Sequence, residues 1–152
     1  VSGKPEAAAY LRQLGASRIE PRSFVNDTSG KALLRPQWSG AIDTVGGNTL
    51  ATLLKGCKLE GVVVSTGLVD SPELHTTVYP FILNGISLAG VGSAETPLAL
   101  KKAIWAKLEE EWDIRKHFSV IRKDTDLEGL IHTCISDILQ GKNTGRVVVK
   151  LP

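Results

Sequence analysis

Short segments that contain glycine follow the predicted ends of four strands, and their residue types suit a nucleotide ligand. They are Ser2-Gly3-Lys4, Gly46-Gly47, Thr66-Gly67-Leu68 and residues 90–93. Glycine lets a ligand approach the backbone closely, and the N-terminus of a following helix carries partial positive charge suited to a phosphate. Ligands of open parallel sheets bind beyond the carboxyl ends of the strands. One such turn is ordinary in an α/β protein, but several together predict a dinucleotide site.

The first of these segments contains no acidic residue. In dinucleotide-binding folds an acid at the end of the second strand bonds the adenosine ribose hydroxyls and repels a 2′-phosphate. The hydroxyl of Ser2, the backbone N–H of Gly3 and the ammonium of Lys4 favour the phosphate instead, and Arg18 adds a cation. The segment therefore predicts NADP rather than NAD. The alternative is that Ser2 or Gly3 caps a helix that begins at Pro5, with Lys4 in solvent.

The other reactive residue types form no catalytic or metal-binding pattern in the sequence. Asp43 precedes a glycine turn, where local hydrogen bonding is expected of an aspartate. Cys57 and Cys134 lie far apart without metal-ligand spacing, which predicts two buried thiols. The histidines also lack metal or triad spacing and are His75, His117 and His132. We therefore predict no catalytic residue and no metal site in this chain.

Three short apolar strands would position the last three glycine segments. They are predicted at 41–45, at 62–65 and around Ile86 and Gly90, and each stops at or near a glycine. A helical segment at 50–55 separates the first two strands. Strands that alternate with helical segments predict an α/β fold, with a parallel sheet and helices on its faces.

The two ends of the chain add further elements. Pro5 and the alanine-rich run after it predict a short helix that is closed by Gly15. Apolar spacing near Trp105 predicts a second helix, and capping-box spacing from Thr125 to Glu128 predicts a third that runs to Gly141. A strand is predicted at 146–150.

Composition limits the classes of function. The chain has 152 residues, with 18 basic and 16 acidic side chains and a net charge of +2. This balance gives no reason to expect binding to nucleic acid through bulk charge. The sequence has neither an apolar run of membrane-spanning length nor a signal-peptide pattern, which predicts a single cytoplasmic domain with no membrane partner.

Several blocks of the sequence resemble the C-terminal half of a known enzyme family. The blocks “VSGKPEAAAYLRQLGASRI”, “WSGAIDTVGG” and “LHTTVYPFILNGISLAGVGS” are similar to the medium-chain dehydrogenase/reductase branch that includes acrylyl-CoA reductases and quinone oxidoreductase-like proteins. Thr76-Thr77, Pro80-Phe81 and Asn84-Gly85 are the most specific pairs, because helix and strand propensities do not demand them. By resemblance, NADP contacts fall on Ser2, Gly3, Lys4 and Arg18 at the 2′-phosphate end, and on Leu68, Ile82 and Ser93 towards the nicotinamide.

The resemblance also implies an organisation. Residues 1–140 would form a truncated dinucleotide-binding domain, a partial Rossmann-like doubly wound sheet without its first β–α unit, since the sequence contains no GxGxxG loop. The chain would start at the end of the second strand of that fold. Residues 141–152 would form a terminal strand that returns to the substrate domain in longer relatives. We expect the edge of that strand to be unpaired unless another chain covers it.

The activity that the resemblance implies is a zinc-independent, NADPH-dependent reduction of an activated alkene, either a 2-enoyl thioester such as acrylyl-CoA or a quinone. This chain would hold the cofactor, would be inactive alone, and would form a homodimer through the strand around Ile86 and Gly90. The alternative is a stand-alone dimerising α/β module that binds nucleotide weakly or not at all. A flavodoxin-like or other α/β binding domain is a third possibility.

Overall fold

The computed structural model describes residues 1–151, which form two compact units. The sheet unit consists of Glu20–Thr96 with Val1, and the terminal unit consists of Ser2–Ile19 and the residues from Pro97 onwards. The strands are β1 Trp38–Asp43, β2 Cys57–Ser65, β3 Ser87–Gly90, β4 Arg122–Thr125 and β5 Arg146–Val149. The helices are α1 Ala8–Gln13, α2 Gly47–Lys55, α3 Tyr79–Asn84, α4 Leu98–Glu109, α5 Phe118–Ile121, α6 Leu127–Gly129 and α7 Ile135–Leu139.

The sheet unit contains a three-stranded parallel sheet in the order β1-β2-β3. Helix α2 connects the first pair of strands and α3 connects the second, which confirms the predicted α/β class. Strands β1 and β2 begin before their predicted starts, at Trp38 and Cys57. These two residues are paired with each other across the ladder, so backbone pairing extends the strands beyond their apolar runs.

The core of the sheet unit lies between α2 and the sheet. Leu54 and Val63 are completely buried, and Leu50 and Ile86 belong to the same apolar cluster. Burying each of these side chains contributes roughly 1.5–3 kcal/mol. Trp38 packs against this cluster and its indole N–H donates to the Leu53 carbonyl at 2.9 Å. This packing fixes α2 against the strands whose ends form the candidate site.

Both cysteines are buried and unbridged, as the sequence predicted. Cys57 belongs to the core cluster of the sheet unit, and burial raises the pKa of its thiol. A raised pKa keeps the thiol protonated at neutral pH, so Cys57 acts as a small apolar core residue.

The three helices predicted from the sequence at the two ends of the chain are present in the terminal unit, and the last of them differs from the prediction in two ways. A 3₁₀ turn at Pro5–Ala7 leads into α1, and Gly15 follows with a left-handed φ of 98°. The last predicted helix is divided, because a π-helical turn at Leu130–Cys134 separates α6 from α7. Its N-terminal cap is Asp126, whose carboxylate accepts from the Gly129 N–H at 2.7 Å, rather than Thr125.

The expectation that the last strand lacks a partner in this chain is wrong. Strand β5 pairs in parallel with β4, a strand that the sequence analysis did not predict. The polar sequence of β4, Arg-Lys-Asp-Thr, gives no apolar signal. Its Asp124 carboxylate is paired with Arg122 on the same strand and lies 3.0 Å from the Lys150 ammonium. These two cations hold the pKa of Asp124 well below its usual range.

The predicted division at residue 140 stays a prediction.

Asp27 is expected to stabilise the sheet unit in a pH-dependent way. The Lys55 ammonium lies 2.6 Å from its carboxylate, and together with Ser29 it lowers the Asp27 pKa from 3.8 to about 2. A carboxyl group whose pKa is lower in the folded than in the unfolded state stabilises the fold at pH values above its unfolded-state pKa. This contribution is lost as the pH falls towards the folded-state pKa. We expect Asp27→Asn to unfold at lower urea concentration than the wild type at pH 7.

The difference between Asp27→Asn and the wild type should shrink between about pH 4 and pH 2, where the unfolded and then the folded carboxyl groups become protonated. Urea unfolding at both pH values measures this. Glu60→Gln, which changes an exposed carboxylate of the same unit, is the matched control. A gap that stays constant over this pH range would contradict the assignment.

Candidate functional site

The three strands of the sheet unit end at the same level. Asp43, Ser65 and Gly90 are the last residues of β1, β2 and β3, and the register pairs Asp43 with Ser65 and Ser65 with Gly90. Two further backbone bonds continue the ladder beyond these ends. The Thr66 N–H donates to the Asp43 carbonyl at 2.8 Å, and the Val91 N–H donates to the Ser65 carbonyl at 3.0 Å. The residues that follow the strands are therefore held together at one edge of the sheet.

These residues surround a cavity of about 440 Å³, which we call the strand-end cavity. It brings together three of the four predicted segments: Gly46-Gly47, Thr66-Gly67-Leu68, and residues 90–92 of the fourth stretch. Its full lining is Gly46, Gly47, Leu50, Ser65, Thr66, Gly67, Leu68, Ser71, Pro72, Glu73, Gly90, Val91 and Gly92. The opening segment Ser2-Gly3-Lys4 belongs to the terminal unit.

The turn between β1 and α2 forms one wall of the cavity and is fixed by a buried carboxylate. Asp43 is 2% exposed, and its carboxylate accepts from the Val45 N–H at 3.1 Å and from the Gly46 N–H at 3.0 Å. This confirms the predicted local hydrogen bonding of Asp43. Gly46 and Gly47 have φ values of 75° and 55°, which glycine adopts without strain.

The start of α2 is a weaker anion site than the sequence suggested. Asp70 lies on the other side of the turn, and its carboxylate would be 2.9 Å from a Cβ placed at Gly47. Two carboxylates, those of Asp43 and Asp70, thus lie at the positive end of α2. Because they complement its dipole, little of the attraction for a phosphate is left at this helix.

Gly90 and Gly92 leave open space in the wall of the cavity. A Cβ at either position would have no heavy atom within 4 Å, and neither residue has a left-handed φ. Steric crowding inside the protein therefore does not require glycine at these two positions. A side chain at either one would occupy space that a flat ligand can use against the bare backbone.

The electrostatic character of the cavity is nearly neutral. Glu73 is the one charged residue in the lining, and its carboxylate lies 3.0 Å from His75 Nε2. Ser65, Thr66 and Ser71 contribute hydroxyl groups. The lining contains no lysine or arginine, so the cavity suits an uncharged ligand portion that makes hydrogen bonds rather than a phosphate.

The predicted nicotinamide-end residues are only partly gathered at this cavity. Leu68 lines it and is 63% exposed. Ser93 is exposed and follows the lining residue Gly92, whereas Ile82 lies on α3 and is 67% exposed. Neither Ser93 nor Ile82 belongs to the lining. The assignment of these three residues as cofactor contacts stays a prediction.

The predicted 2′-phosphate residues lie in the terminal unit. The Ser2 hydroxyl accepts from the Lys4 N–H at 3.0 Å, and the Lys4 ammonium donates to the Asn143 carbonyl at 2.8 Å. Lys4 is half-buried, while Gly3 and Arg18 are exposed. Lys4 is thus bonded to the protein rather than fully in solvent, and the roles of all four residues towards a phosphate stay predictions.

Ser71, which lines the cavity, and Asp70, which flanks it, were not predicted from the sequence as site residues. Ser71 lines the cavity and forms a single parallel bridge with Gly46, and Asp70 donates its backbone N–H to the Val45 carbonyl at 2.9 Å. The Asp-Ser-Pro sequence at 70–72 is a turn signal that could have indicated a segment folded back over the strand end.

Residues 1–151 contain neither a metal-binding group of side chains nor a helix that could span a membrane. In this part of the chain, no three side chains of histidine, cysteine, aspartate or glutamate come together as a metal-binding group. No helix in the same residues has the length and apolar character needed to cross a membrane.

Comparison with known proteins gives relatives that match nearly the whole chain. No family model matches the sequence. The chain is 41% identical over 150 residues to YhfP of Bacillus subtilis, which is named as a quinone oxidoreductase. The match covers 99% of this chain but 45% of YhfP. The chain is also 38% identical over 151 residues to the acrylyl-CoA reductase AcuI of Ruegeria pomeroyi. This match covers 98% of this chain and 44% of AcuI.

Two solved structures have a closely similar fold. The crystal structure of B. subtilis YhfP with NAD bound gives a TM-score of 0.88 at 41% identity and covers 98% of this chain and 45% of that one. The structure of Escherichia coli K-12 YhdH with bound NADPH gives 0.86 at 33% identity and covers 99% of this chain and 46% of that one. The chain thus spans about half the length of the relatives it matches.

Proposed function

Since this chain belongs to the quinone oxidoreductase and acrylyl-CoA reductase-like branch of the medium-chain dehydrogenase/reductases, we propose that it forms the part of such an enzyme that binds NADPH. It corresponds to the C-terminal half of these relatives and has a partial Rossmann-like fold. The observation that carries the proposal is the strand-end cavity, where three glycine segments meet. The NADPH bound to the relative YhdH supports the choice of cofactor.

The residues of the cavity fit the nicotinamide and its ribose better than they fit a phosphate. Gly90 and Gly92 leave bare backbone against which a flat ring can lie, and Ser65 and Thr66 offer hydroxyl groups to ribose or carboxamide. The near-neutral lining suits the nicotinamide end of the reduced cofactor, which is uncharged. We place Leu68, Ile82 and Ser93 around this end. When bound, the cofactor supplies the hydride; the chain holds and orients it.

We propose that Ser2, Gly3, Lys4 and Arg18 bind the 2′-phosphate end. The Lys4 ammonium already donates to one backbone carbonyl, that of Asn143. An ammonium has three donors, and a bond to phosphate is charge-assisted and therefore stronger than a bond to a neutral carbonyl. Lys4 can thus add or exchange a partner when a 2′-phosphate arrives, which favours NADPH over NADH.

The reaction proposed for the whole enzyme is reduction of an activated alkene without zinc. The substrate would be a 2-enoyl thioester such as acrylyl-CoA, or a quinone, in line with the names of AcuI and YhfP. We assign no catalytic residue to this chain and propose that it is inactive alone. In this view residues 1–140 hold the cofactor, and 141–152 return to the substrate domain.

We also propose a homodimer through the strand around Ile86 and Gly90. Strand β3 pairs with β2 on one side, and within residues 1–151 no other strand pairs with it. Leu88 in this strand is 37% exposed. A two-fold pairing of β3 edges would continue the sheet across both copies and cover this apolar edge.

The second candidate is a stand-alone dimerising α/β module that binds nucleotide weakly or not at all. The observation in its favour is the charge at the strand ends, where Asp43 and Asp70 lie at the start of α2 and Glu73 lines the cavity. These carboxylates have no hydrogen-bond donor for a pyrophosphate, and their negative charge repels it. The two candidates therefore differ in the affinity of this chain for NADPH.

Titration calorimetry of the 152-residue chain with NADPH and NADH tests the proposal. We expect NADPH to bind at least about tenfold more tightly than NADH, since a charge-assisted bond contributes about 1.5–3 kcal/mol. Lys4→Glu should remove this preference, because it replaces the cation with a repelling charge. Lys102→Glu, an exposed change on α4, is the control of equal charge. Absence of binding by either nucleotide would favour the second candidate.

A further inference from the structure

A second recess of the sheet unit differs in charge from the strand-end cavity. It has a volume of about 420 Å³, and we call it the basic groove. Its lining is Gly30, Lys31, Ala32, Lys55, Leu74, His75, Thr76 and Thr77. Three of these side chains are basic, and none is acidic. The strand-end cavity, by contrast, has one acidic and no basic residue in its lining.

The lysine at the wall of the groove is held in place before any ligand binds. Lys55 lies in the last turn of α2, its side chain is 14% exposed, and its ammonium is 2.6 Å from the Asp27 carboxylate. Asp27 is fixed in turn by its backbone N–H, which donates to the Thr52 hydroxyl at 2.9 Å. Because an ammonium has three donors, Lys55 can bind a second anion without losing Asp27.

The remaining polar groups of the groove come from two short segments. His75 is held by Glu73 at 3.0 Å, and Thr76 and Thr77 follow it with exposed hydroxyl-bearing side chains. Lys31 is exposed on the opposite segment, after the turn at Gly30 with a φ of 72°. The carboxylate of Asp27 is paired with Lys55 and that of Glu73 with His75, and neither acidic residue is part of the groove lining.

We infer that the basic groove binds a phosphate group of a ligand, at a site separate from the strand-end cavity. Ammonium, imidazole and hydroxyl donors are groups that bind phosphate in proteins. One recess contains all three kinds, from the side chains of Lys31, Lys55, His75, Thr76 and Thr77. The ligand chemistry is a phosphate monoester or pyrophosphate. It can come from a dinucleotide, from a coenzyme A-type thioester or from free phosphate.

The test is a titration of the ¹⁵N-labelled 152-residue chain with inorganic pyrophosphate, followed by amide NMR shifts. We expect saturable shifts at residues 30–32 and 74–77. Lys31→Ala should weaken binding about tenfold, the loss of one charge-assisted bond at an exposed site. Lys58→Ala changes an exposed lysine on β2 outside the groove and should leave the affinity unchanged. The urea midpoint of each variant checks that it is folded.

Two results would overturn the inference. One is absence of saturation in the millimolar range; the other is shifts centred on Gly46 and Gly47, which would place the anion at α2. Separate titrations with NADPH and coenzyme A identify the source, since shifts at 30–32 and 74–77 with either one assign the phosphate to that ligand. Binding of pyrophosphate alone assigns the groove to free phosphate. Failure of NADPH binding at the strand-end cavity leaves this result unaffected, because the two recesses have different lining residues.

Discussion

Gly46→Ala is expected to destabilise the sheet unit by about 3–5 kcal/mol, a large part of the stability of an ordinary domain. Gly46 has φ 75° and ψ −158°, a backbone conformation that is essentially restricted to glycine. A Cβ at this position would also collide with the backbone carbonyl of Ser71, which cannot rotate away as a side chain could. Strain and collision act together, so the turn before α2 must rearrange.

Urea unfolding followed by circular dichroism measures this loss. Gly92→Ala is the matched control, because it adds the same methyl group to the same unit where no heavy atom lies within 4 Å. We expect the control to stay within about 0.5 kcal/mol of the wild type, as a surface substitution does. Equal unfolding midpoints for the two variants would show that the Gly46 turn is not required in the geometry described.

The arrangement of the strand ends could be predicted from the sequence because it depends on local signals. Apolar runs that stop at Gly46, Gly67 and Gly90 gave a parallel sheet with glycine at its carboxyl edge, and the structure has this arrangement. The starts of β1 and β2 could not be predicted in the same way. They depend on pairing between Trp38 and Cys57, which are distant in the sequence and carry no shared local pattern.

Strand β4 shows a second limit of sequence patterns. Its four residues are polar, and their pairing with β5 is a backbone interaction that does not depend on side-chain apolarity. The same limit applies to the π-helical turn at Leu130–Cys134, since the i, i+3, i+4 spacing continues through it. Apolar spacing predicts that a helix exists but not where its hydrogen bonding changes.

The charge of the candidate site depended on tertiary contacts. The sequence indicated that the start of α2 would attract phosphate, but the structure brings Asp70 next to it from the loop after β2. It also separates the basic residues Lys31 and Lys55 into a different recess. Residue types near a strand end therefore predicted a nucleotide site, whereas the division into a neutral cavity and a basic groove required the fold.

Gly92→Leu is expected to weaken NADPH binding about 10- to 100-fold without unfolding the chain. The leucine side chain would enter open space beside the strand-end cavity, so it meets no protein atom near its Cβ and requires no change of backbone conformation. A cofactor ring lying against Gly92 would have to move away from the added side chain, and forcing such volume into a packed contact costs about 1–3 kcal/mol.

The measurement is calorimetric titration of NADPH into Gly92→Leu, with its urea midpoint as the check of folding. Gln37→Leu adds a leucine at an exposed position outside the cavity and should bind NADPH as the wild type does. Loss of affinity in Gly92→Leu at unchanged stability would place the cofactor over residues 90–92, because the added side chain fills the open space beside Gly92 and leaves the fold unchanged. Wild-type affinity in this variant would instead mean that the nicotinamide lies elsewhere, and the strand-end cavity would lose its proposed role.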